Sequence, residues 1–328
     1  MIDSGLKLEI IDEVSRLIEL RPEWSAFAGT IDGLTPFQLP AWLMTWWLHF
    51  GSGRLRCLLF RDGEEIAAIV PCFLHEWNGA RQITLLGAGI SDYLEPAMKL
   101  EHADEIVAQL RRHLQSTADW DVCQWQDLSF DTPLKAVASD VMEDAQCMVI
   151  ALEGSFEAYW EGCPKSLRQN VRRDKSKAEA QGAVRFDVAK EAAPELLDAL
   201  IEMHGARWQR QNQPGMIEAN GSAEFLRDIA REFAARDMLR IFSVRFDEKL
   251  VAMILAFAYR ERISNYLTAF DPGYERLGFG RTLLYEAVRY SFENGYKAWD
   301  FLRGDEPYKH WWRARTIPKA RVIVTRTA

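Results

Sequence analysis

The sequence predicts an α/β fold: a mixed, mostly antiparallel sheet flanked by helices, present twice along one chain. Two segments about 185 residues apart read alike, LRCLLFRDGEEIAAIV at Leu55–Val70 and LRIFSVRFDEKLVAMI at Leu239–Ile254. Each is a β-rich run broken by an acidic turn (Asp62-Gly63, Asp247-Glu248) and resumed as an apolar run, the pattern of a β-hairpin. The flanking elements also come in the same order around each hairpin, which points to one unit duplicated.

Upstream of the first hairpin, Pro40–Phe50 has a helical pattern; upstream of the second, Ser222–Arg236 does, with Ser222 as N-cap. Downstream, Gln82–Leu86 and Arg262–Phe270 read as strands. Ala103–Gln115 and Gly280–Glu293 read as helices, because their apolar residues recur at three- and four-residue spacing. Val122–Leu128 and Lys297–Leu302 read as the closing strands. A helix over Pro164–Gln181, with Pro164 in its first turn, and another from near Pro194 lead into the second copy. The domains expected are therefore 1–152 and 153–328.

Composition narrows the function classes. A length of 328 residues fits two domains. No apolar run approaches the roughly 18 residues of a membrane-spanning helix, so no span is expected. Met1–Glu9 lacks the basic and apolar regions of a secretory signal. The cysteines (Cys57, Cys72, Cys123, Cys147 and Cys163) are scattered without C-x-x-C, and the histidines show no H-E-x-x-H. That pattern argues against a disulfide scaffold or a metal cofactor and fits a reducing cytoplasm. A net charge of -8 argues against a nucleic-acid partner.

The two copies differ at one place. In the second, a strand ends at Phe270 and the chain continues Asp271-Pro272-Gly273-Tyr274-Glu275-Arg276-Leu277-Gly278-Phe279-Gly280-Arg281-Thr282 into a helix. A Gly-x-Gly turn into a helix exposes backbone N–H groups where the helix dipole favours an anion, so a phosphate or pyrophosphate suits it. The matching stretch of the first copy, Glu95–His102, carries Glu95, Pro96 and Glu101 and no paired glycines. The sequence thus points to one anion site, in the second copy.

This strand–turn–helix context resembles the GNAT acyl-transferase superfamily, whose loop reads Gln/Arg-x-x-Gly-x-Gly/Ala. Here it reads Glu275-x-x-Gly278-x-Gly280, an acid replacing the usual first residue, with Arg276 beside it. The run Asp300-Phe301-Leu302-Arg303-Gly304-Asp305-Glu306-Pro307-Tyr308-Lys309-His310-Trp311-Trp312 is similar to the D-F-x-x-G-x-x-x-Y-K-x-x-W signature of double-GNAT proteins. These double-GNAT proteins are relatives of the FemAB peptidyltransferases and are themselves known as acetyltransferases associated with cellulose biosynthesis. The resemblance spans about residues 5–325. It implies tandem GNAT folds with acetyl-CoA or another acyl-CoA as co-substrate in the second half. It also implies a donor cleft between splayed strands, held by Leu267, Ala269, Arg276, Gly278, Phe279, Gly280, Arg281 and Thr282, and a Tyr proton donor, Tyr308, after the last strand.

Acyl transfer needs a base for the acceptor, a stabilised carbonyl oxygen and a proton donor for the leaving thiolate. Asp300, Asp305 and Glu306 are candidate bases. Lys309 suits a phosphate or carboxylate. Each has a structural alternative: Asp300 as a strand carboxylate paired with Arg303 or another base, and Tyr308, Trp311 and Trp312 as one face packing a helix on the sheet. His310, beside the Tyr-Lys pair, is the histidine to test. Asp92 and Tyr93, after Ser91, either bind the acceptor or close an Asx-type turn. Arg168 and Arg172 share a face of a basic helix that also carries Lys165, Arg173, Lys175 and Lys177, either an anion patch or a solvated surface. Arg207 is a further acceptor-side candidate.

The leading expectation is an acyltransferase acting by direct attack on acyl-CoA, since no Ser or Cys nucleophile motif is present. The acceptor is a small molecule or a saccharide, with polysaccharide- or envelope-related chemistry suggested by the resemblance. The alternatives are an aminoacyl-tRNA-dependent transferase and a catalytically degenerate binding module. The oligomeric state stays open.

Overall fold

The computed structural model describes residues 5–210 and 221–326, with the backbone alone at 206–210. It divides into two compact units, Met1–Ala145 with Pro318–Ala328, and Gln146–Ile317.

The first unit begins β1 (Lys7–Ile11), α1 (Val14–Thr30), α2 (Pro40–Phe50), β2 (Arg54–Asp62), β3 (Glu65–Trp77), β4 (Ala80–Leu85) and β5 (Ala97–Met98). It continues with α3 (Ala103–Ser116), β6 (Val122–Ser129) and the start of β7 (Asp140–Ala151). The second unit holds the rest of β7, then α4 (Phe156–Glu161), α5 (Lys165–Glu179), β8 (Val184–Ala189), α6 (Pro194–Arg210) and α7 (Ser222–Ala234). After these come β9 (Leu239–Phe246), β10 (Lys249–Tyr259), β11 (Arg262–Phe270), α8 (Phe279–Glu293), β12 (Ala298–Arg303) and α9 (Pro307–Trp311). The last strand, β13 (Arg315–Thr325), returns the chain to the first unit.

That return departs from the expected division at 152/153. Lys319–Thr325 pairs antiparallel with β6 of the first unit, whereas Cys147, Val149, Ile150 and Ala151 of β7 pair with β12 of the second. Backbone pairing sets the division, and the repeat in the sequence carries no trace of it.

The two hairpins form where their turn residues place them. Asp62 pairs with Glu65 across a turn in which Gly63 has φ +57°. Phe246 pairs with Lys249 across Asp247 (φ +46°) and Glu248 (φ +67°), two consecutive left-handed residues as a twist-matched two-residue turn requires. Each unit then adds one parallel step: β4 on β6 at Gln82↔Val122 and Ile83↔Cys123, and β11 on β12 from Arg262↔Ala298 to Ser264↔Asp300. A parallel neighbour needs a crossover, and α3 and α8 supply it.

Two expected caps are corrected. Ser222 is the first residue of α7, and Gly221, in the left-handed region, is the N-cap; the buried Ser222 hydroxyl makes no hydrogen bond among the described residues. Pro164 is the N-cap of α5 rather than part of its first turn.

In the first unit the loop after β4 turns back along β6, where Leu94 N–H donates to Asp127 O (2.9 Å). Trp42 Nε1–H donates to Ser91 Oγ (2.8 Å), and Ser91, Tyr93 and Leu94 are all buried. Gly87, at φ +92°, is required here: a Cβ would stand 2.7 Å from Ser91 Oγ and 2.8 Å from Leu94 Cδ2. Glu95, in the stretch that replaces the glycine turn, is turned inward. Its carboxylate accepts from Ser129 N–H (2.8 Å) and Thr132 Oγ1–H (2.7 Å), and burial raises its pKa.

One carboxylate links this unit to pH. Asp119 bonds Arg56 (Nη1–Oδ1 2.9 Å) and pairs with Arg54, and the Arg56 guanidinium lowers its carboxyl to about 2. A group depressed in the folded state contributes stability above its unfolded value of about 3.9 and loses it as pH falls through the folded value. The expected result is that the melting-temperature gap between wild type and Asp119→Asn is full at about pH 6 and closes towards pH 2. Calorimetry across that range checks it; a gap independent of pH contradicts the assignment.

Candidate functional site

The site grows out of β11. Its pairing with β10 runs Leu255↔Leu267 and then Ala256↔Asn265, so Tyr266 is an extra residue in a bulge. A bulge re-aims the side chains that follow it. Pairing with β12 ends at Ser264↔Asp300, and beyond that point the two strands part. A cleft of about 310 Å³ opens there. On the β11 side it is lined by Asn265, Thr268 and Phe270, and below by Val251 and Ile254 of β10. Thr268 Oγ1–H donates to Asn265 Oδ1 (3.1 Å). Leu284 of α8 and Leu167 of α5 close the apolar interior, and Tyr308, Trp311 and Trp312 form the facing wall.

The mouth is the glycine turn. Pro272–Leu277 forms a short 3-10 helix capped by Asp271, whose carboxylate accepts from Gly273 N–H (2.8 Å) and bonds Lys249 Nζ (2.8 Å). Gly278 then reverses the chain at φ +69° and is the N-cap of α8. Its carbonyl accepts from Arg281 N–H (3.0 Å) and Thr282 N–H (3.2 Å). The amides of Phe279 and Gly280 have no carbonyl one turn back within α8, so they are the donors that a bound anion would use.

Asp174 of the basic α5 backs this turn. It is 4% exposed, pairs with Arg281 and with Arg173 (3.2 Å), and occupies the space beside Gly278. A Cβ on Gly278 would reach Asp174 Oδ2 at 2.3 Å. Lys177 Nζ donates to Arg276 O (2.9 Å), and Lys175 bonds Glu286 of α8. Two cations of the helix, Lys175 and Lys177, are therefore spent on fastening α5 to α8 and to the turn. Arg168 Nε–H donates to Cys163 O (3.2 Å), and Arg172 is exposed.

The other expected residues fall as follows. Gly278, Phe279, Gly280 and Arg281 line the cleft; Arg276 is exposed on the turn; buried Thr282 spends its hydroxyl on Phe279 O (3.1 Å). Leu267 (6% exposed) and Ala269 (0%) alternate with the cleft-lining Thr268 and Phe270, and their side chains do not line it. Tyr308 lines the cleft, with its ring edge-to-face on Phe301 (5.9 Å). Asp300 and Lys309 are buried and do not line it. Asp305 and His310 form a half-exposed pair at 2.5 Å, also away from the lining. Tyr93 is buried under Lys319, whose Nζ lies 4.0 Å from its ring centroid, and Asp92 is half-buried in the same loop. Arg207 lies on α6 with its side chain outside the described residues.

Sequence reasoning missed Asn265, Thr268, Phe270, Tyr274 and Asp174. The single acid of a basic helix was a signal for Asp174. The strand residues needed the position of the bulge, which no residue type announces. Among the described residues no group of His, Cys, Asp or Glu side chains could hold a metal ion, and no helix is long and apolar enough to cross a membrane.

Residues 165–310 match the family model described as an acetyltransferase (GNAT) domain. The match covers the basic helix, the splayed strands, the glycine turn and most of α9. Among solved structures, the chain is similar to one titled FemX, at 10% identity and a TM-score of 0.67, covering 97% of both chains. It is also similar to L-PGS from Bacillus licheniformis (14% identity, 97% of this chain and 93% of that one, TM-score 0.60). A third is the C-terminal domain of a putative lysylphosphatidylglycerol synthetase from Agrobacterium fabrum (11%, 94% and 92%, TM-score 0.60). No curated protein sequence matches the chain. The fold is the one expected: α/β, with GNAT-type folds in tandem.

Proposed function

We propose that the second unit transfers an acyl group from an acyl-CoA to an amine or hydroxyl acceptor. The observation that carries this reading is the cleft lined by β11 on one side and by Tyr308, Trp311 and Trp312 on the other, which opens at the N-terminus of α8. An acyl-CoA has an anionic head, an amide-bearing arm and a thioester in line. The Phe279 and Gly280 amides suit its pyrophosphate, and Arg281 adds a cation beside them. Beyond Ser264 the β11 backbone has left its partner β12 and can pair with the amides of the arm. The apolar interior suits the methylenes and excludes water around the thioester.

Tyr308 is the hydroxyl on the facing wall, and we assign it protonation of the leaving thiolate. The cleft carboxylates Asp271 and Glu275 are the titratable acceptors near the mouth. The acceptor substrate is a small molecule or saccharide, and the polysaccharide association rests on the sequence resemblance. A second reading, an aminoacyl-tRNA-dependent transferase, rests on the sequence resemblance to relatives of the FemAB peptidyltransferases.

Calorimetric titration with acetyl-CoA and longer acyl-CoAs tests the reading. Saturable binding, weakened in Gly280→Ala, is the result expected. No binding to any acyl-CoA, together with retention of aminoacyl-tRNA at moderate salt, favours the second reading instead. With a turnover assay in hand, Tyr308→Phe is expected to lower kcat by about a hundredfold with KM for the acyl-CoA little changed, the low end for a proton donor. An unchanged kcat removes Tyr308 from the chemistry.

A further inference from the structure

We propose that Asp300 and Lys309 are positioning residues: one through an amide and the other through carbonyls, they hold the turn Leu302–Gly304, and that turn sets the cleft wall. The signature containing them invites a catalytic interpretation, because a strand carboxylate and a nearby lysine look like a base and an anion ligand. The geometry points elsewhere.

The turn has an unfavourable backbone. Leu302 has φ +62° and Gly304 φ +108°. A bulky residue in the left-handed region persists only where its surroundings over-determine it. Asp300, fully buried, accepts the Leu302 N–H at Oδ1 (2.8 Å) and meets Arg262 Nη1 at Oδ2 (3.1 Å). Lys309, 2% exposed, reaches back from α9. Its Nζ donates to Arg303 O (2.8 Å) and Gly304 O (3.1 Å), approaches Leu302 O (3.4 Å) and pairs with Glu306 Oε2 (2.8 Å). Glu306 packs on Gly304, where a Cβ would meet its carboxylate at 2.6 Å. A buried ammonium bound to carbonyls and one carboxylate has its donors occupied, so it has none to offer a substrate.

What the turn does follows from where it lies. It begins two residues after Ser264↔Asp300, the last pair before β11 and β12 separate. It ends three residues before Pro307, the start of the short helix that carries Tyr308, Trp311 and Trp312. Phe301 completes the link through its edge contact with Tyr308. The residues of the signature Asp-Phe-x-x-Gly-x-x-x-Tyr-Lys-x-x-Trp are thus the parts of one brace, and of those parts only Tyr308 and Trp312 line the cleft.

Amide hydrogen exchange on the full chain tests this, and it needs no ligand. In Lys309→Met, exchange in residues 302–313 is expected to rise at least about tenfold, while α8 keeps its protection. The Kd for CoA is expected to rise with it, a second readout that rests on the acyl-CoA reading. Glu306→Gln removes the charge of one exposed partner of the ammonium and is expected to loosen the same segment by a smaller factor. It keeps the test decisive if Lys309→Met does not fold. Unchanged exchange over 302–313 in a folded Lys309→Met, or in Glu306→Gln where only that variant folds, overturns the proposal. So does loss of turnover in Lys309→Met with exchange and CoA affinity intact. If wild type does not bind CoA, the acyl-CoA reading fails and the exchange result still decides this one.

Discussion

Gly278→Ala is expected to destabilise the second unit by about 2–5 kcal/mol and to abolish donor binding, whereas Gly280→Ala, two residues on, leaves stability nearly unchanged. The difference comes from the backbone and from what stands beside it. Gly278 has φ +69°, and an alanine in the left-handed region costs about 1–2 kcal/mol. Its Cβ would also lie 2.3 Å from Oδ2 of Asp174. Asp174 cannot yield cheaply, because it is buried and holds Arg281; forcing such a contact adds about 1–3 kcal/mol. In a unit of this size each kcal/mol moves the melting temperature by about 2–4 °C, so a fall of roughly 4–20 °C should appear in calorimetry. Gly280 has no such constraint: its nearest neighbour, Phe270 Cδ1, would lie 3.6 Å from the new methyl, an ordinary contact. That methyl nevertheless stands at the helix N-terminus, where a phosphate must approach the backbone closely. Gly280→Ala should therefore weaken acyl-CoA binding without unfolding the protein. If Gly278→Ala melts with wild type, the turn is less rigid than its geometry states; if Gly280→Ala binds acyl-CoA as wild type does, the anion does not sit at α8.

The contrast between these glycines shows which parts of the molecule were readable in advance. The hairpins were, because period-two patterning and an Asp-Gly or Asp-Glu turn are local properties that packing seldom overrides. Arg262–Phe270 was readable as a strand for the same reason, and the glycine turn as the start of α8. Which face of that strand meets the cleft was not, because one extra residue, Tyr266, exchanges the faces. Leu267 and Ala269 were expected at the donor, and it is Thr268 and Phe270 that line the cleft. The burial of the charged residues of the signature, Asp300 and Lys309, was unreadable for another reason. Asp and Lys are seldom fully buried, so a sequence containing them next to Tyr and Trp suggests exposed chemistry. Their burial here depends on a turn whose carbonyls gather around one ammonium, a tertiary arrangement with no mark in residue spacing. The basic helix is a similar case: its buried acid, Asp174, holds the turn, and two of its cations, Lys175 and Lys177, are occupied in fastening it.

Trp312→Ala is expected to destabilise the second unit by about 3–5 kcal/mol, while Trp311→Ala, its neighbour in sequence, changes stability by about 1 kcal/mol or less. Both rings line the cleft, yet they bear on the fold differently. Trp312 is 1% exposed and belongs to the core with Leu167, Leu284 and Trp299; its ring lies 5.6 Å from that of Trp160. Its carbonyl accepts the buried Tyr159 hydroxyl (2.5 Å), and burial pushes that phenol's pKa far above its usual value. Removing the indole leaves a void continuous with the cleft, and the edge-to-face contact of Trp160 with Tyr285 (4.8 Å) loses its support. Trp311 is 47% exposed, so its deletion removes little buried area. Its contribution lies in narrowing the cleft. Trp311→Ala should thus raise the Kd for acyl-CoA while melting near wild type, and Trp312→Ala should lower the melting temperature by roughly 6–20 °C. Denaturant titration of both variants beside calorimetric binding separates the two effects. Equal destabilisation would mean that Trp311 is buried in solution. Equal binding by wild type and Trp311→Ala would mean that the donor does not touch the α9 wall, and with it the assignment of Tyr308 to the leaving group would fall.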